Sequence, residues 1–313
     1  MGKIADALDK IDTLEKLGTS DITYSQEYME EESTLSKSSS DSAVEKVVNQ
    51  AEVSEVGDQS TKESTSPKVP ADIPIKNIAN PIETTGKWEK RLFNAVNKDS
   101  AMPEIFKTLR SQILHPLDGR KVPKSIMVAS SVPKEGKSFL TANLGISIAN
   151  GMDQHCLLVD CDLRHPTLAR SLGIETKYGL VNYLRDQVDL AGLIVKTSIP
   201  KLSILPSGNK PNNPAELLSS SRMHTFIKEV SNRYEDRVII FDSPPMLMAA
   251  ESLVLAGQVD AIILVVRRGR AKKHEVEKFI TTVDKNKILG IVFNDHISNY
   301  LDKSVVEAYG YGY

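Results

Sequence analysis

The sequence lacks the features that define several classes of protein. Its 313 residues include only two cysteines, Cys156 and Cys161, both in the apolar run HCLLVDC. Because this placement suits neither a disulfide nor a metal site, we expect a reducing, cytoplasmic environment. No uncharged apolar run reaches the roughly 18 residues needed to span a membrane. The N-terminus is interrupted by acidic residues and has no signal-peptide core, so any membrane role requires a partner.

The first third of the chain is also short of aromatic residues. None occurs between Tyr28 and Trp88, and residues 29–66 hold ten serines and nine acidic residues against three lysines. Such a segment cannot bury enough apolar surface to offset its ordering entropy, so we predict a disordered linker over residues 19–85. The formal net charge of the whole chain, -2, gives no general case for nucleic-acid binding.

Before this linker, apolar residues recur at helical spacing, at Ile4, Leu8, Ile11, Leu14 and Leu17. The spacing predicts a short amphipathic helix within residues 1–18. Two interpretations stay open: a docking helix for a partner, or a marginal helix without a function. The mixed charges on its polar face argue against a helix that binds a lipid surface.

Residues 86–299 have the pattern of a single α/β domain. A helical segment, MPEIFKTLRSQIL, precedes six short apolar runs: KSIMVAS, HCLLVD, LSILPS, RVIIFD, DAIILVV and ILGIVFN. Continuous apolar strands that alternate with helices are typical of a mostly parallel sheet covered on both faces. We therefore predict a doubly wound α/β fold with its ligand at the carboxyl ends of the strands.

A phosphate-binding loop follows the first of these strands. The sequence SVPKEGKS is a P-loop with deviant Walker motifs, in which Ser131 replaces the first glycine. Backbone N–H groups of such a turn bind phosphate oxygens, Lys137 reaches the β- and γ-phosphates, and Ser138 binds Mg²⁺. The predicted nucleotide-binding residues are Ser131, Val132, Pro133, Lys134, Glu135, Gly136, Lys137, Ser138 and Phe139.

Three aspartates follow two other strands. Asp160 and Asp162 end the run LLVDCD, and Asp242 ends RVIIFD. Because parallel strands present their carboxyl ends at one edge, we expect these carboxylates beside the phosphates. Three carboxylates at a phosphate site make sense only if cations are present, and Mg²⁺ takes oxygen ligands and bridges to nucleotide phosphates.

Together these motifs resemble the bacterial tyrosine kinases of capsule and exopolysaccharide synthesis over roughly residues 100–313. The matching parts are SSVPKEGKS, LLVDCDLRHP, VIIFDSPP, SGNKPNNPAELLSS and a tyrosine-rich tail. In the fourth of these, we expect Asn213 to cap a helix, with Pro214 at its first position and Glu216 completing a capping box. Within the family, the chain looks most like the stand-alone autokinases of exosortase-linked exopolysaccharide loci.

The resemblance implies an ATP- and Mg²⁺-dependent protein-tyrosine autokinase, with Mg²⁺ bound by Ser138, Asp162 and Asp242. Its catalytic residues would be Lys137, Asp160, Asp162 and Arg164, with Asp160 as the candidate acceptor of the tyrosine proton. Two departures from the family pattern stand out. Lys134 replaces a glycine of the phosphate loop, and Lys107 replaces the first arginine of an E-x-x-R-x-x-R helix that begins at Glu104.

That helix, over residues 104–110, packs subunits into a ring in the relatives, so the resemblance implies a homo-oligomer; a solvated helix face is the alternative. It also implies a separate membrane-bound chain-length protein as activator and a tyrosine phosphatase as partner. The kinase would be cytoplasmic and recruited to the inner face of the membrane.

The chain ends in YGYGY, a tail that we define as residues 300–313. Glycine neighbours disfavour fixed structure, so Tyr309, Tyr311 and Tyr313 are the predicted phosphoacceptors. Each phosphate adds about two negative charges, which would drive a modified tail out of an acidic site. The kinase would in this way regulate polymerisation and export of the polysaccharide.

A basic stretch, RRGRAKK, follows the strand DAIILVV. It contains Arg267, Arg268, Arg270, Lys272 and Lys273. It could attract phosphotyrosine, nucleotide or the acidic tail of a partner, or it could be a solvated loop. No aromatic residues interleave it, which argues against a groove for single-stranded nucleic acid.

Two other functions compete with the kinase. A switch ATPase of the division- or plasmid-positioning type would use the same fold with water as acceptor. Those proteins carry a signature lysine five positions before the P-loop lysine, where this chain has Val132. A nucleotide sensor without catalysis is a third possibility, against which the intact Lys137 and aspartates argue.

Overall fold

The computed structural model describes residue 92 and residues 102–116, 119–233 and 236–295. The predicted N-terminal helix, the linker and the tyrosine tail lie outside these described residues. Within them, the α-helices and strands follow one another along the chain in this order: α1 (Met102–Leu114), β1 (Ser125–Ser130), α2 (Lys137–Ala149), β2 (His155–Asp160), α3 (Leu168–Ser171), α4 (Leu180–Asp186), β3 (Val195–Lys196), β4 (Leu202–Leu205), α5 (Pro214–Leu218), α6 (Ser221–Arg233), β5 (Arg237–Asp242), α7 (Glu251–Gln258), β6 (Ala261–Arg267), α8 (Lys273–Thr282) and β7 (Ile288–Asn294). Short 3₁₀ turns cover Leu190–Gly192, Met246–Met248 and Lys285–Lys287.

The strands form one sheet in the order β3-β4-β2-β5-β1-β6-β7. All neighbouring strands are parallel except β3, which pairs antiparallel with β4 at the edge. The predicted doubly wound α/β fold is therefore confirmed, as are the helix at α1 and the six apolar strands. The edge strand β3 was not predicted, because two residues are too short for a periodic pattern.

Both faces of the sheet are covered, which explains why its strands are apolar without alternation. Met127, Leu157 and Phe241 face one cluster of buried side chains, which also includes Phe226 of α6 and Phe279 of α8. Their strand neighbours Val128, Leu158 and Ile240 face the other cluster, which contains Leu144 and Ile148 of α2. Successive strand residues point to opposite faces, so each strand contributes to both clusters.

Helix α2 is buried along almost its whole length, as its apolar sequence predicts. It packs so closely on β2 that a Cβ added at Gly145 would lie 2.5 Å from Cδ2 of Leu158. This contact fixes the start of α2, and with it Lys137 and Ser138, relative to the ends of the central strands.

One local prediction was confirmed for the position of the helix start and was wrong for its side-chain cap. Asn213 is the N-cap of α5 and Pro214 its first residue, but no side-chain hydrogen bond caps the helix. A helix of five residues is held mainly by tertiary packing, here through buried Leu217 and Leu218, so the cap is dispensable. No helix among the described residues combines the length and the apolar character needed to cross a membrane.

Candidate active site

The phosphate loop, residues 131–136, connects β1 to α2 at the carboxyl edge of the sheet. Gly136 has a φ of 95°, a left-handed conformation that favours glycine. A Cβ added there would lie only 2.1 Å from Nδ2 of Asn294, at the end of β7. Any larger residue would therefore meet both backbone strain and a steric clash, which fixes the glycine at this position.

Glu135 supports this loop from inside the protein. It is fully buried; its Oε2 accepts a hydrogen bond from the Val132 N–H at 3.0 Å, and its Oε1 accepts one from the Arg267 N–H at 3.3 Å. Its own carbonyl accepts a hydrogen bond from Asn294 Nδ2 at 2.8 Å. Burial raises the pKa of Glu135, although these hydrogen bonds favour its ionised form. Glu135 thus ties the phosphate loop to the ends of β6 and β7.

Lys137 and Ser138 begin α2 and face the acidic edge of the sheet. Lys137 is buried, and its positive charge favours the ionised forms of Glu135, Asp162 and Asp242. The Ser138 Oγ accepts a hydrogen bond from Thr167 Oγ1 at 3.0 Å. The first turn of α2 therefore carries one ammonium and one hydroxyl beside several carboxylates.

Asp160 and Asp242 lie side by side at the ends of neighbouring strands. They are register partners in the parallel pair of β2 and β5, and both are fully buried. Burial and the charge of Asp242 raise the pKa of Asp160 well above its usual range. Burial also raises the pKa of Asp242 to about 7, although Lys137 and Ser138 oppose this shift. Two buried carboxylates in contact repel each other unless a cation or a proton is shared between them.

The buried carboxylate of Asp242 lacks hydrogen-bond partners among the described residues. Neither of its buried carboxylate oxygens has a hydrogen bond of normal geometry, although the Ser138 side chain is close enough to favour the ionised form. An uncompensated buried carboxylate is costly, so it points to a ligand that supplies positive charge.

Mg²⁺ held jointly with a nucleotide fits this donor set. The described residues contain no group of three or more His, Cys, Asp or Glu able to hold a metal ion alone. Mg²⁺ commonly takes one or two carboxylates and fills its octahedron with water and substrate phosphates. Asp242 and Ser138 can provide protein oxygens of this kind next to a phosphate loop.

Asp160 and Asp162 organise the loop between β2 and α3. The two oxygens of Asp160 accept hydrogen bonds from the N–H groups of Asp162 and Leu168, each at 3.2 Å, and so close the two ends of this loop. Asp162 is half-buried, and its Oδ1 accepts a hydrogen bond from the His165 N–H at 3.0 Å. Burial raises the pKa of Asp162, while Lys137 and His165 act in the opposite direction.

Arg164 contacts a residue that the sequence motifs did not identify, Glu251. Its Nε donates a hydrogen bond to Oε1 of Glu251 at 2.8 Å. Glu251 begins α7 and is buried, and its second oxygen, Oε2, has no hydrogen-bond partner. The pair joins the β2–α3 loop to α7, so the arginine of the D-x-D-x-R motif has a clear structural contact.

Comparison with known proteins identifies the family. Residues 124–296, more than half of the chain, match a family model described as an AAA domain. The tyrosine-protein kinase YwqD of Bacillus subtilis (strain 168) is 31% identical over 210 residues, which cover 66% of this chain and 87% of YwqD. The chain belongs to the family of bacterial tyrosine-protein kinases. It is a protein-tyrosine kinase, and the family resemblance that its motifs predicted is confirmed.

Solved structures agree with this assignment. The kinase is 27% identical to the chimerical protein CapA2B2, with a TM-score of 0.60 over 66% of this chain and 91% of that chain. The kinase domain of Escherichia coli ETK is 26% identical, with a TM-score of 0.59 over 66% of this chain and 83% of that chain. The closer assignment, to the exosortase-linked autokinases, stays a prediction.

Sequence reasoning missed three residues that contact the candidate site: Thr167, Glu251 and Asn294. It named Arg267 as part of the basic stretch but did not predict that its N–H contacts Glu135. Thr167 and Asn294 are single polar residues in ordinary positions, and no sequence pattern distinguishes them. Glu251 follows the DSPP motif by six positions, and an acidic residue in an otherwise apolar stretch, MLMAAESLVLAG, was the available signal.

The helix predicted to mediate assembly, α1, has some of its predicted contact residues on the surface and one that contacts its own domain. Glu104 and Lys107 form an ion pair on the surface of α1. Arg110 turns inward, and its Nη1 donates a hydrogen bond to the Ser147 carbonyl of α2. Ile105 is 59% exposed between them. Arg110 thus already has a partner within its own chain.

Proposed function

We propose that this kinase uses ATP and Mg²⁺ to phosphorylate its own C-terminal tail at Tyr309, Tyr311 and Tyr313. The observation that supports the proposal best is the environment of Asp242. A buried, unsatisfied carboxylate lies beside the Ser138 hydroxyl and the Lys137 ammonium, at the start of a helix that follows a phosphate loop. These are the groups that a magnesium–nucleotide complex requires.

In this proposal, the phosphate loop and Lys137 hold the phosphates and neutralise the charge that develops during transfer. Ser138, Asp162 and Asp242 hold Mg²⁺, which would balance the repulsion between the carboxylates. Phosphoryl transfer needs chiefly positioning and charge neutralisation, so this set of residues is chemically sufficient.

The tyrosine hydroxyl must lose its proton during transfer. Asp160 is the acceptor that the family resemblance implies, but its two oxygens also hold the β2–α3 loop. Asp162, in contrast, is half-buried rather than enclosed. We propose that Asp160 fixes the loop and that Asp160 and Asp162 share the role of accepting the tyrosine proton. Arg164 lies beside them.

The biological setting is proposed from the family resemblance. The kinase would regulate polymerisation and export of a capsular or extracellular polysaccharide. A separate membrane-bound chain-length protein would recruit it to the inner face of the membrane and activate it, and a tyrosine phosphatase would reset the tail. Subunits would assemble in a ring through residues 104–110, where exposed Ile105 supports a contact between copies.

The test is the intact mass of the purified protein after incubation with ATP and Mg²⁺, beside a Lys137→Met control. We expect added phosphates on the peptide 300–313 of the wild type and none on the control. If mass is unchanged, the measurement is repeated with the membrane activator present. Continued absence of phosphate in that mixture would contradict the proposal.

A switch ATPase is the alternative function. It would turn over ATP in the same experiment without any gain in mass. The position of its signature lysine is occupied by Val132, whose N–H is bound by Glu135. This residue cannot provide the cation that such enzymes use, which favours the kinase.

A further inference from the structure

We propose that the β6–α8 loop of this kinase binds the phosphotyrosine tail of the same chain after transfer. We define the cationic loop as Arg268, Arg270 and Lys272. The inference rests on the proposed function only for the source of the phosphotyrosines. The binding chemistry itself depends on the loop, its position and the chain that follows β7.

The cationic loop carries positive charge that the described residues do not neutralise. The side chains of Arg268, Arg270 and Lys272 form no hydrogen bond or ion pair within the described part of the chain. Arg267 differs, because its Nη2 lies 3.0 Å from Asp295 Oδ2 in an ion pair. The nearest acidic group on α8 is Glu275, whose Oε2 accepts the Lys272 N–H at 2.8 Å. Three cations against one engaged carboxylate leave a net attraction for anions.

The backbone of this loop is well fixed. Arg268 N–H donates to the Asn294 carbonyl at 3.2 Å, and Arg270 N–H donates to the Arg267 carbonyl at 3.1 Å. Ala271 is buried, so it holds the loop against the domain. The charged side chains therefore project from an ordered turn, which lowers the entropic cost of binding a ligand.

The position of the loop selects the tail as its ligand. Asn294, which receives the hydrogen bond from Arg268, is the last residue of β7, and the tail follows it in the chain. Tyr309 lies 14 residues beyond Asp295. An extended chain covers up to about 3.4 Å per residue, or roughly 48 Å over this length, so the tyrosines can return to the loop. A short tether also gives an effective concentration in the millimolar range.

Phosphotyrosine is the chemical group that this loop fits. Each modified ring carries close to two negative charges and three acceptor oxygens. Arginine binds phosphate through two parallel hydrogen bonds, and a nearby lysine adds a point charge. Several phosphotyrosines separated by single glycines would meet three cations spaced over five residues. Binding there would hold the product tail outside the phosphate site.

The loop also has a physical connection to that site. Arg267, which precedes the cationic loop, donates its N–H to Glu135 of the phosphate loop. The bound tail would therefore lie beside the nucleotide without occupying its phosphate position. This arrangement predicts that ATP and the phosphorylated tail bind at the same time.

The experiment measures fluorescence anisotropy of a labelled synthetic peptide, residues 300–313 phosphorylated at Tyr309, Tyr311 and Tyr313. The protein is the full chain after phosphatase treatment, so its own tail does not compete. The test variant is Arg268→Gln/Arg270→Gln/Lys272→Gln. The matched control, Lys121→Gln/Lys196→Gln/Lys228→Gln, removes the same charge from three exposed positions elsewhere.

We expect the test variant to bind the phosphopeptide at least about tenfold more weakly, since it loses several charge-assisted hydrogen bonds. The control should change affinity by less than about twofold, because distant exposed charges are screened. The unphosphorylated peptide should bind at least about tenfold more weakly to the wild type, and a non-hydrolysable ATP analogue with Mg²⁺ should not displace the phosphopeptide.

Three results would overturn the proposal: equal losses in both variants, equal binding of the two peptides, or displacement of the phosphopeptide by the non-hydrolysable ATP analogue. The last would place the phosphotyrosines in the nucleotide site instead. Because the phosphates are introduced synthetically, all of these results are independent of whether the chain phosphorylates its own tail. A thermal unfolding curve of each variant confirms that both are folded.

Discussion

Lys134 lies on the phosphate loop with a φ of 63°, in the left-handed region that glycine adopts without strain. The family pattern has glycine at this position. The Lys134 side chain is exposed and forms no hydrogen bond or ion pair with the described residues. A lysine with a strained backbone on the phosphate loop is explained if its ammonium neutralises the charge of a nucleotide bound there, at some cost in stability.

We therefore predict opposite effects of Lys134→Gly on stability and on nucleotide binding. Relief of backbone strain should raise the free energy of unfolding by about 0.5–1 kcal/mol. Loss of the ammonium should weaken ATP binding by about three- to tenfold, as one exposed charge–phosphate contact is worth roughly 1 kcal/mol. Urea unfolding and ATP titration measure the two quantities.

Lys134→Met is the matched control, because methionine keeps the Cβ and similar length but has no charge. It should weaken ATP binding as much as the glycine variant without any gain in stability. Equal ATP affinity in all three proteins would show that the ammonium does not interact with the nucleotide.

At the scale of secondary-structure elements, the contact between Arg164 and Glu251 joins the β2–α3 loop to α7. The same loop contacts α2 through Thr167 and Ser138, and Asp160 closes its two ends. Glu251 is buried, whereas the Arg164 side chain is 42% exposed. The loop that carries Asp162 is thus held at three points, and Glu251 is a positioning residue for it.

A double-mutant cycle tests this role. Arg164→Met leaves the buried Glu251 carboxylate without the one side-chain hydrogen bond that it forms within the described part of the chain, so we expect a loss of about 2 kcal/mol in unfolding free energy. This value is below that of a fully buried pair because Arg164 is partly exposed. The double variant Arg164→Met/Glu251→Gln should lose less unfolding free energy than the sum of the losses in the single variants Arg164→Met and Glu251→Gln.

Kinetic measurements distinguish a role of Arg164 and Glu251 in positioning the loop from a role in stability alone. Both single variants should lower kcat for tail phosphorylation by a similar factor, about tenfold or more, with less change in KM for ATP. Glu251→Asp, which keeps the charge, should recover part of this loss. Additive effects on stability together with unchanged kcat in Glu251→Gln would contradict the assignment.

At the scale of the whole molecule, the order of strands explains what the sequence could and could not predict. Each strand could be predicted locally, because a parallel strand buried on both faces is a continuous apolar run. The carboxyl edge as the place of the site followed from the fold class. That Asp160 and Asp242 are direct register partners did not follow, since strand adjacency depends on the packing of the entire domain.

Contacts between distant residues were also beyond prediction. The amide of Asn294 lies against Gly136, 158 positions earlier in the chain, and Glu251 meets Arg164 across 87 positions. A single sequence has no periodicity or spacing that relates such pairs. The side-chain capping box expected from Asn213 and Glu216 was wrong for the converse reason, because packing overrides local preference in so short a helix.

The adjacent carboxylates of Asp160 and Asp242 should affect the stability of the whole domain. The pKa of Asp242 rises from 3.8 to about 7 on folding, and that of Asp160 also rises. The folded state therefore binds more protons than the unfolded state between these values. Without nucleotide and Mg²⁺, the stabilising contribution of this pair to the free energy of unfolding is fully present at low pH and is lost as pH rises towards about 7.

We predict that Asp242→Asn removes most of this pH dependence. Between pH 5 and pH 8, the wild type should lose more unfolding free energy than the variant, by up to about 3 kcal/mol, since about two pKa units of the shift lie in this range and each is worth about 1.4 kcal/mol. At pH 8 the variant should be the more stable protein, because it has no second buried charge beside Asp160. It should nevertheless lose tail phosphorylation, since it lacks a proposed Mg²⁺ ligand.

Urea unfolding at pH 5, 6, 7 and 8 measures this difference, with Asp153→Asn as a control that removes an exposed acidic group instead. The control should follow the wild type at every pH. Mg²⁺ with ATP should stabilise the wild type more at pH 8 than at pH 5, because the ligand binds the ionised carboxylates and protons compete with it. If Asp242→Asn is less stable than the wild type at pH 8, the carboxylates do not repel each other in the folded protein, and a bound cation would no longer be needed to explain them.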